Sequence, residues 1–538
     1  MVNDVIAQTP FMLPSVWHRY LFLFGLISLA GGMLFGAVPT SVPQFILLGN
    51  WLLEKNYHQK WQQLKSNHIF WILASLFILH IFGMTYTQNM QKGLDELRIK
   101  LPLLILPLVL FSSPTITDKE FKFTLRVFFF GVLLSSIYCY LVYAGFTKKT
   151  IIDIRQASVF MSHIRYSICI AFAIMGLLYF TIKASKPIIK LIKLVVVAWL
   201  LYFMIQLQMA TGLICLALVG CLLSIVYVMK HCSRTILFTF FICIALCVFV
   251  IVKKSMTSLA VFESNPNSSK NLPLKTTRNG RYYKHDTSFE IAENGNLILI
   301  NICDEELNNE WNKRSTIDYN GADKKGNALR YTLWRYLASK GYLKDSVGVN
   351  LLTNEDIIKI EKGQTNYQFD INSGLVSKWR ELIWGYKLYK SGANPSGQSL
   401  NMRLEFWKTG WNIVKLHPWF GVGTGDIQDS YNQMYTLLNS NLDVVWRLRS
   451  HNQYLAITVA FGVFGLVIFL VYLLYPAFTL KNDIHELYWP FFLMFLLSFL
   501  TEDTLETQAG VTSFIFFQTL FLWMANHRAK ISGHYKTT

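Results

Sequence analysis

Apolar runs broken by short polar stretches dominate this chain. Residues 20–38, 68–84, 126–145, 166–182, 214–228, 236–252 and 454–474 are almost wholly apolar. Each approaches the roughly 20 residues that a helix needs to cross a bilayer core. Runs at 42–53, 101–111, 194–205, 488–500 and 511–524 are shorter and predict tilted or Pro-broken spans. Together they predict an all-α polytopic membrane protein of about 12 transmembrane helices, with the lipid bilayer as its surroundings. One long polar interruption, 253–450, separates spans 9 and 10. The expected organisation is an N-terminal bundle at 1–252, a loop domain at 253–450, and C-terminal helices with a tail at 451–538.

The loop reads as a folded α(+β) domain. Asn294-Gly295 between two apolar stretches is a hairpin turn signal. Residues 328–340 predict a helix ending at Gly341. Thr353 with Asp356 resembles a capping box, opening a helix that stops at Gly363. Residues 375–390 and 402–416 predict two further helices, rich in Trp, Tyr and Arg.

Composition sharpens this picture. The chain of 538 residues is 53% hydrophobic and 15% charged, well below the quarter that a soluble protein carries. Its formal charge is +18. In a soluble chain that excess would suggest nucleic acid. Here the lysines cluster in short loops beside spans, as in KASKPIIKLIK at 183–193, which is the positive-inside pattern. No nucleic-acid partner is expected. Both termini are expected inside, with 253–450 and the acidic loop TEDTLETQA at 501–509 outside. Residues 1–17 lack the basic start of a cleavable signal peptide. Of the eight cysteines only Cys303 lies in the polar loop, which excludes a disulfide framework there. No cysteine or histidine spacing fits a zinc or haem motif, so neither a metal nor a cofactor is expected.

The chemistry-bearing residues concentrate in 401–469. Arg403 opens an aromatic-rich helical stretch. A Gly421-Val422-Gly423-Thr424-Gly425-Asp426 turn follows, and His451-Asn452 then sits at the mouth of an apolar helix. A neutral imidazole near pH 7 can take a proton from a sugar hydroxyl; the plainer reading is an interfacial His that caps the helix. The guanidinium of Arg403 can grip phosphate oxygens with two prongs, or pair with Glu405. The Gly-rich turn is not a nucleotide loop, because no Walker Lys follows and no βαβ unit surrounds it. It is expected to be architectural, with exposed N–H groups as a possible phosphate contact. Arg165 opens span 6, where it either snorkels or holds phosphate. Glu502, Asp503 and Glu506 either orient His451, bind an acceptor, or are plain loop charge. Arg281, in a polar and aromatic cluster at 280–286, is either a sugar contact or folded loop surface.

This arrangement, an Arg four residues before Trp407, the Gly-rich turn and then His-Asn before a span, resembles the O-antigen ligase and polymerase superfamily of bacterial membrane glycosyltransferases. The resemblance implies a GT-C-like fold in the bacterial inner membrane, with the loop domain and active site on the periplasmic face. It implies a donor glycan on undecaprenyl pyrophosphate and an acceptor hydroxyl on a lipid A–core sugar. A polymerase using a second lipid-linked repeat and a protein O-glycosyltransferase are the alternatives. His451 would be the base and Arg403 the pyrophosphate ligand of an inverting, metal-independent transfer. Asn452, Gly423, Gly425 and Asp426 would line the substrate site. Family members commonly carry Ser-Arg at the start of span 8, where this chain has Met209-Ala210. Arg165, Arg281, Arg447 or Arg449 must then substitute, or the donor is held differently. A transporter would show charged or broken helices at mid-bilayer, and few ionisable residues lie inside the spans.

Overall fold

The structure is a computed structural model of the full chain. It describes residues 15–532 except 152, 232, 234–238, 240–248, 251–252, 254, 258–259, 264, 266–270, 288–289 and 370–373. The run at 236–252, expected as span 9, falls almost wholly outside these residues. The described chain is mostly helical, as the apolar pattern requires, and forms two compact units. One comprises 1–230, 406–440 and 447–538; the other comprises 231–405 and 441–446.

In the first unit, α1 (Ser15–Gly32) to α10 (Ala210–His231) are followed by the end of a later helix and by three apolar helices. Among the described residues, six helices are long and apolar enough to cross a membrane. They are α7 (Asp118–Tyr143), α8 (His163–Ile182), α9 (Pro187–Gln206), α10, α18 (Gln453–Thr479) and α20 (Gln508–Ile531). The pair α3 (Tyr57–Lys65) and α4 (His68–Met84) is bent by 92° and makes a seventh span if counted as one. The long run at 20–38 gives α1 of 18 residues, and the shorter runs at 42–53, 101–111 and 488–500 give α2 (Ala37–Leu53) of 17, α6 (Pro102–Phe111) of 10 and α19 (Tyr488–Ser498) of 11. Between α4 and α6 lies the polar helix α5 (Met90–Lys100). The least apolar span, α20, is 89% buried and is the axis of this unit. Its Phe517 and Phe521 pack edge-to-face on Phe172 and its Phe514 stacks on Phe491, geometries that add to simple area burial.

The second unit carries the local signals of the loop almost as written. Strands β1 (Ala292–Glu293) and β2 (Asn296–Leu297) pair antiparallel, with Ala292 opposite Leu297. Asn294 and Gly295 both take positive φ, 48° and 85°, as a two-residue hairpin demands. Helix α11 (Asp304–Arg314) follows. Helix α12 (Leu329–Lys340) ends on Gly341 at φ 70°. A short helix α13 (Ser346–Asn350) leads to the capping box of Thr353 and Asp356, which opens α14 (Asn354–Glu361). Trp311, Leu333, Tyr336, Leu337 and Ile360 form the core of this unit. Helix α15 (Gly374–Lys390) ends in the same unit. The next helix, α16 (Ser399–Leu416), belongs to it as far as Glu405 and to the first unit from Phe406.

Candidate functional site

The glycine-rich turn explains how α18 can be broken. Helix α18 is interrupted at Gly462, whose φ of 65° and ψ of −162° leave the helical region. The break frees backbone groups inside a span, where an unsatisfied polar group costs several kcal/mol. The turn supplies the partners. Val463 N donates to Pro418 O at 2.8 Å and Phe464 N to Trp419 O at 3.3 Å, while Val422 N and Gly423 N donate to Val459 O and Ala460 O. The two backbones touch. A Cβ on Gly462 would meet Trp419 C at 2.2 Å, and one on Gly421 would meet Ala460 C at 2.4 Å. The other face of the turn is fixed to α4 and α5. Thr424 Oγ1 donates to His80 O, and the Asp426 carboxylate accepts from Gln88 N and Asn89 N at 2.7 and 2.8 Å. Gly423, Gly425 and Asp426 are thus engaged in architecture.

The turn hands the chain to α17 (Ile427–Leu437) and then to the segment 447–452 that carries His451. This segment is held from several sides. Trp407 Nε1 donates to Ser450 O at 3.0 Å, and the Phe406 ring lies 5.6 Å from the imidazole. Asn452 caps α18 by accepting from Leu455 N and donates to Leu500 O. His451 itself has φ 46°, a left-handed conformation that a non-glycine residue holds only where its surroundings impose it.

Two carboxylates face the ring. His451 Nδ1 lies 3.4 Å from Asp503 Oδ1 and 3.7 Å from Glu502 Oε2. The imidazole is about a third exposed, while Glu502 and Asp503 are buried. Both acids sit in the turn between α19 and α20. Arg165, from the first turn of α8, reaches them with one nitrogen. Its Nη2 is 2.8 Å from Glu502 Oε1, 3.5 Å from Asp503 Oδ1, and donates to Asp503 O at 3.2 Å. Burial opposes a charge on His451, yet Asp503 and then Glu502 outweigh it and raise the imidazole to about 9. His451 therefore rests largely as imidazolium at neutral pH. One ring nitrogen of His451 and one carboxylate oxygen from each acid lie within 4.8 Å of one another, a grouping that no sequence motif announced. Arg165 already supplies positive charge there.

A second ionic cluster lies directly behind. Lys100, fully buried at the end of α5, contacts Glu96 at 2.6 Å and Glu506 at 2.9 Å. Arg449 bridges the same two carboxylates at 2.6 and 3.3 Å. Burial pushes the Glu506 carboxyl up, but Lys100 and Arg449 overcome it and hold it well below the usual range. Gln453, the first residue of α18, donates to Glu506 Oε1 and accepts from Leu505 N. The fold therefore joins Arg165, Arg449, His451 and Glu502, which the sequence nominated separately. Asp503 and Glu506 were nominated with Glu502; the fold adds Phe406, Glu96 and Lys100. Beside the nominated Arg449 and Glu506, the i, i+4 spacing of Glu96 and Lys100 was a further sequence sign of this second cluster.

Two nominated arginines lie in the other unit. Arg281 forms an exposed pair with Glu305. Arg403, on α16, donates to Ser399 Oγ at 2.7 Å, and nearby Glu405 accepts from Tyr389. No curated protein matches this chain. Residues 362–470, which include Arg403, the glycine-rich turn and His451, match the family described as O-antigen ligase, and that segment supports the resemblance to the O-antigen ligase superfamily.

Proposed function

We propose that this protein is an O-antigen ligase-like glycosyltransferase of the bacterial inner membrane, working on the periplasmic face. The donor is a glycan on undecaprenyl pyrophosphate and the acceptor is the hydroxyl of a lipid A–core sugar. The observation that carries this reading is His451, held at the mouth of a span-length helix against two buried carboxylates, within the segment that matches the family.

In the reaction, the neutral form of His451 takes the proton of the acceptor hydroxyl at Nε2. The acceptor oxygen attacks the anomeric carbon, and the bond from that carbon to the pyrophosphate oxygen breaks. The electron pair leaves with the lipid pyrophosphate and the anomeric configuration inverts. Arg403 is assigned to the pyrophosphate from the family pattern, since a planar guanidinium matches two phosphate oxygens at once.

The test is transfer in vitro by the purified full-length protein with lipid-linked donor and lipid A–core acceptor. General base catalysis contributes roughly 10²–10⁴ in rate, so His451→Gln, which cannot take the proton, should lose product by that factor while still folding. Near-wild-type turnover by His451→Gln would remove the base role. Transfer to a second lipid-linked repeat in place of the core sugar would make the protein a polymerase.

A further inference from the structure

A histidine base must present one bare nitrogen and keep the other occupied. Here Nδ1 faces Asp503 and Glu502, so the proton of the neutral ring belongs on Nδ1 and the lone pair on Nε2. The separations of 3.4 and 3.7 Å are longer than a hydrogen bond, as is common for catalytic contacts before substrate arrives. Arg165 ties Glu502, Asp503 and the Asp503 carbonyl to α8 through a single nitrogen. Its guanidinium is largely buried and engaged by carboxylates. We infer that Asp503, Glu502 and Arg165 are positioning residues of the transfer reaction: the acid pair fixes the tautomer and orientation of His451, and Arg165 fixes the acid pair instead of gripping the leaving pyrophosphate. This rests on His451 being the base.

Charge balance agrees. The charged groups at His451 are Glu502 and Asp503 from the α19–α20 turn, with Arg165 from α8 on the same two acids. Arg449 from its own segment lies behind with Glu506, Glu96 and Lys100. The rear cluster pairs two cations with two carboxylates. The front cluster pairs Arg165 and His451 with Glu502 and Asp503, and is neutral only when the imidazole is protonated. The imidazole shift to about 9 points the same way. A free enzyme built so gains activity as pH rises toward that value, since deprotonation makes the base. Removing one carboxylate must lower the ring's proton affinity and move the rising limb to lower pH. It must also lower the plateau, because the ring loses its orienting partner.

The experiment measures kcat/KM against pH from 6 to 10, with full-length protein in lipid nanodiscs, for wild type, Asp503→Asn and Glu502→Gln. A rising limb shifted down by a unit or more in Asp503→Asn, with a plateau lowered by about 10²–10⁴, is expected; converting the acid of a His–carboxylate pair to its amide costs up to roughly 10⁴ elsewhere. Rising limbs that coincide in all three proteins overturn the inference. A wild-type limb that falls across this range overturns the base reading instead, so the two failures are distinct. For Arg165→Gln, affinity for the lipid-linked donor is read separately by equilibrium binding. Unchanged affinity with lowered kcat supports a positioning role. A tenfold loss of donor affinity returns Arg165 to the pyrophosphate. Thermal midpoints check folding, and if Arg165→Gln fails to fold, Arg165→Lys gives the same two readouts.

Discussion

Replacing Lys100 with methionine tests the ionic cluster behind His451. The Lys100 side chain is 1% exposed, with Nζ between Glu96 at 2.6 Å and Glu506 at 2.9 Å. At an effective dielectric near 20 each attraction amounts to about 6 kcal/mol, of which desolvation cancels most. The substitution does not return that balance to zero. It leaves two buried carboxylates sharing Arg449 alone, and removing one partner of a buried pair destabilises by about 3–5 kcal/mol. The pH dependence follows. In the wild type the Lys100 ammonium is favoured despite burial because of Glu506 and Glu96, and the Glu506 carboxyl is depressed. Their stabilisation is present above the ordinary glutamate range; it is lost in acid as Glu506 protonates through its depressed value, and in strong base as Lys100 deprotonates. In Lys100→Met the surplus carboxylate is favoured protonated, so the deficit is largest at neutral pH and shrinks as pH falls. Adding Glu506→Gln removes the surplus charge and should recover part of the loss. The assay is thermal unfolding of the full chain in nanodiscs at pH 5 and pH 8. A wild-type midpoint for Lys100→Met at pH 8, or no recovery in the double variant, would refute this account.

Three further outcomes are expected. Arg403→Lys should impair transfer nearly as much as Arg403→Ala, by about 2–4 kcal/mol in kcat/KM, because an ammonium keeps the charge and loses the two-pronged grip; normal transfer by the lysine variant would reduce Arg403 to charge or packing. Gly462→Ala should lower the melting midpoint, since its φ of 65° costs a side-chain-bearing residue about 1–2 kcal/mol and its Cβ would strike the Trp419 carbonyl carbon; an unchanged midpoint would show that the break in α18 is dispensable. A cysteine at exposed Lys324, with Cys303 replaced by serine, should react with a membrane-impermeant reagent once the outer membrane alone is opened. Labelling only after inner-membrane lysis would reverse the proposed orientation.

Local rules carried the sequence a long way. The turn at Asn294-Gly295, the stop at Gly341 and the Thr353 capping box depend on φ preferences and on hydrogen bonds within four residues, so they were legible. Four of the seven long apolar runs, 126–145, 166–182, 214–228 and 454–474, were legible as span-length helices, because a long apolar run has one comfortable solvent. The shorter runs were harder: Pro43 and Pro107 lie inside α2 and α6, and length alone assigns neither helix as a full span. His451 stood out at a helix mouth, but the acids at it come from the α19–α20 turn, the arginine on those acids from α8, and the cluster of Arg449 draws on α5, all far away in the chain. The acids could equally have been solvated loop charge, and Arg165 could equally have snorkelled. Only the packing of these elements around α20 puts three charged groups at His451 and two cations on Glu96 and Glu506. The same holds for the glycine-rich turn. Its residues announced tight backbone geometry, but the partner that requires it, the broken backbone of α18 at Gly462, is a tertiary fact. Sequence determines which groups are costly to bury; the fold decides which of them share the burial.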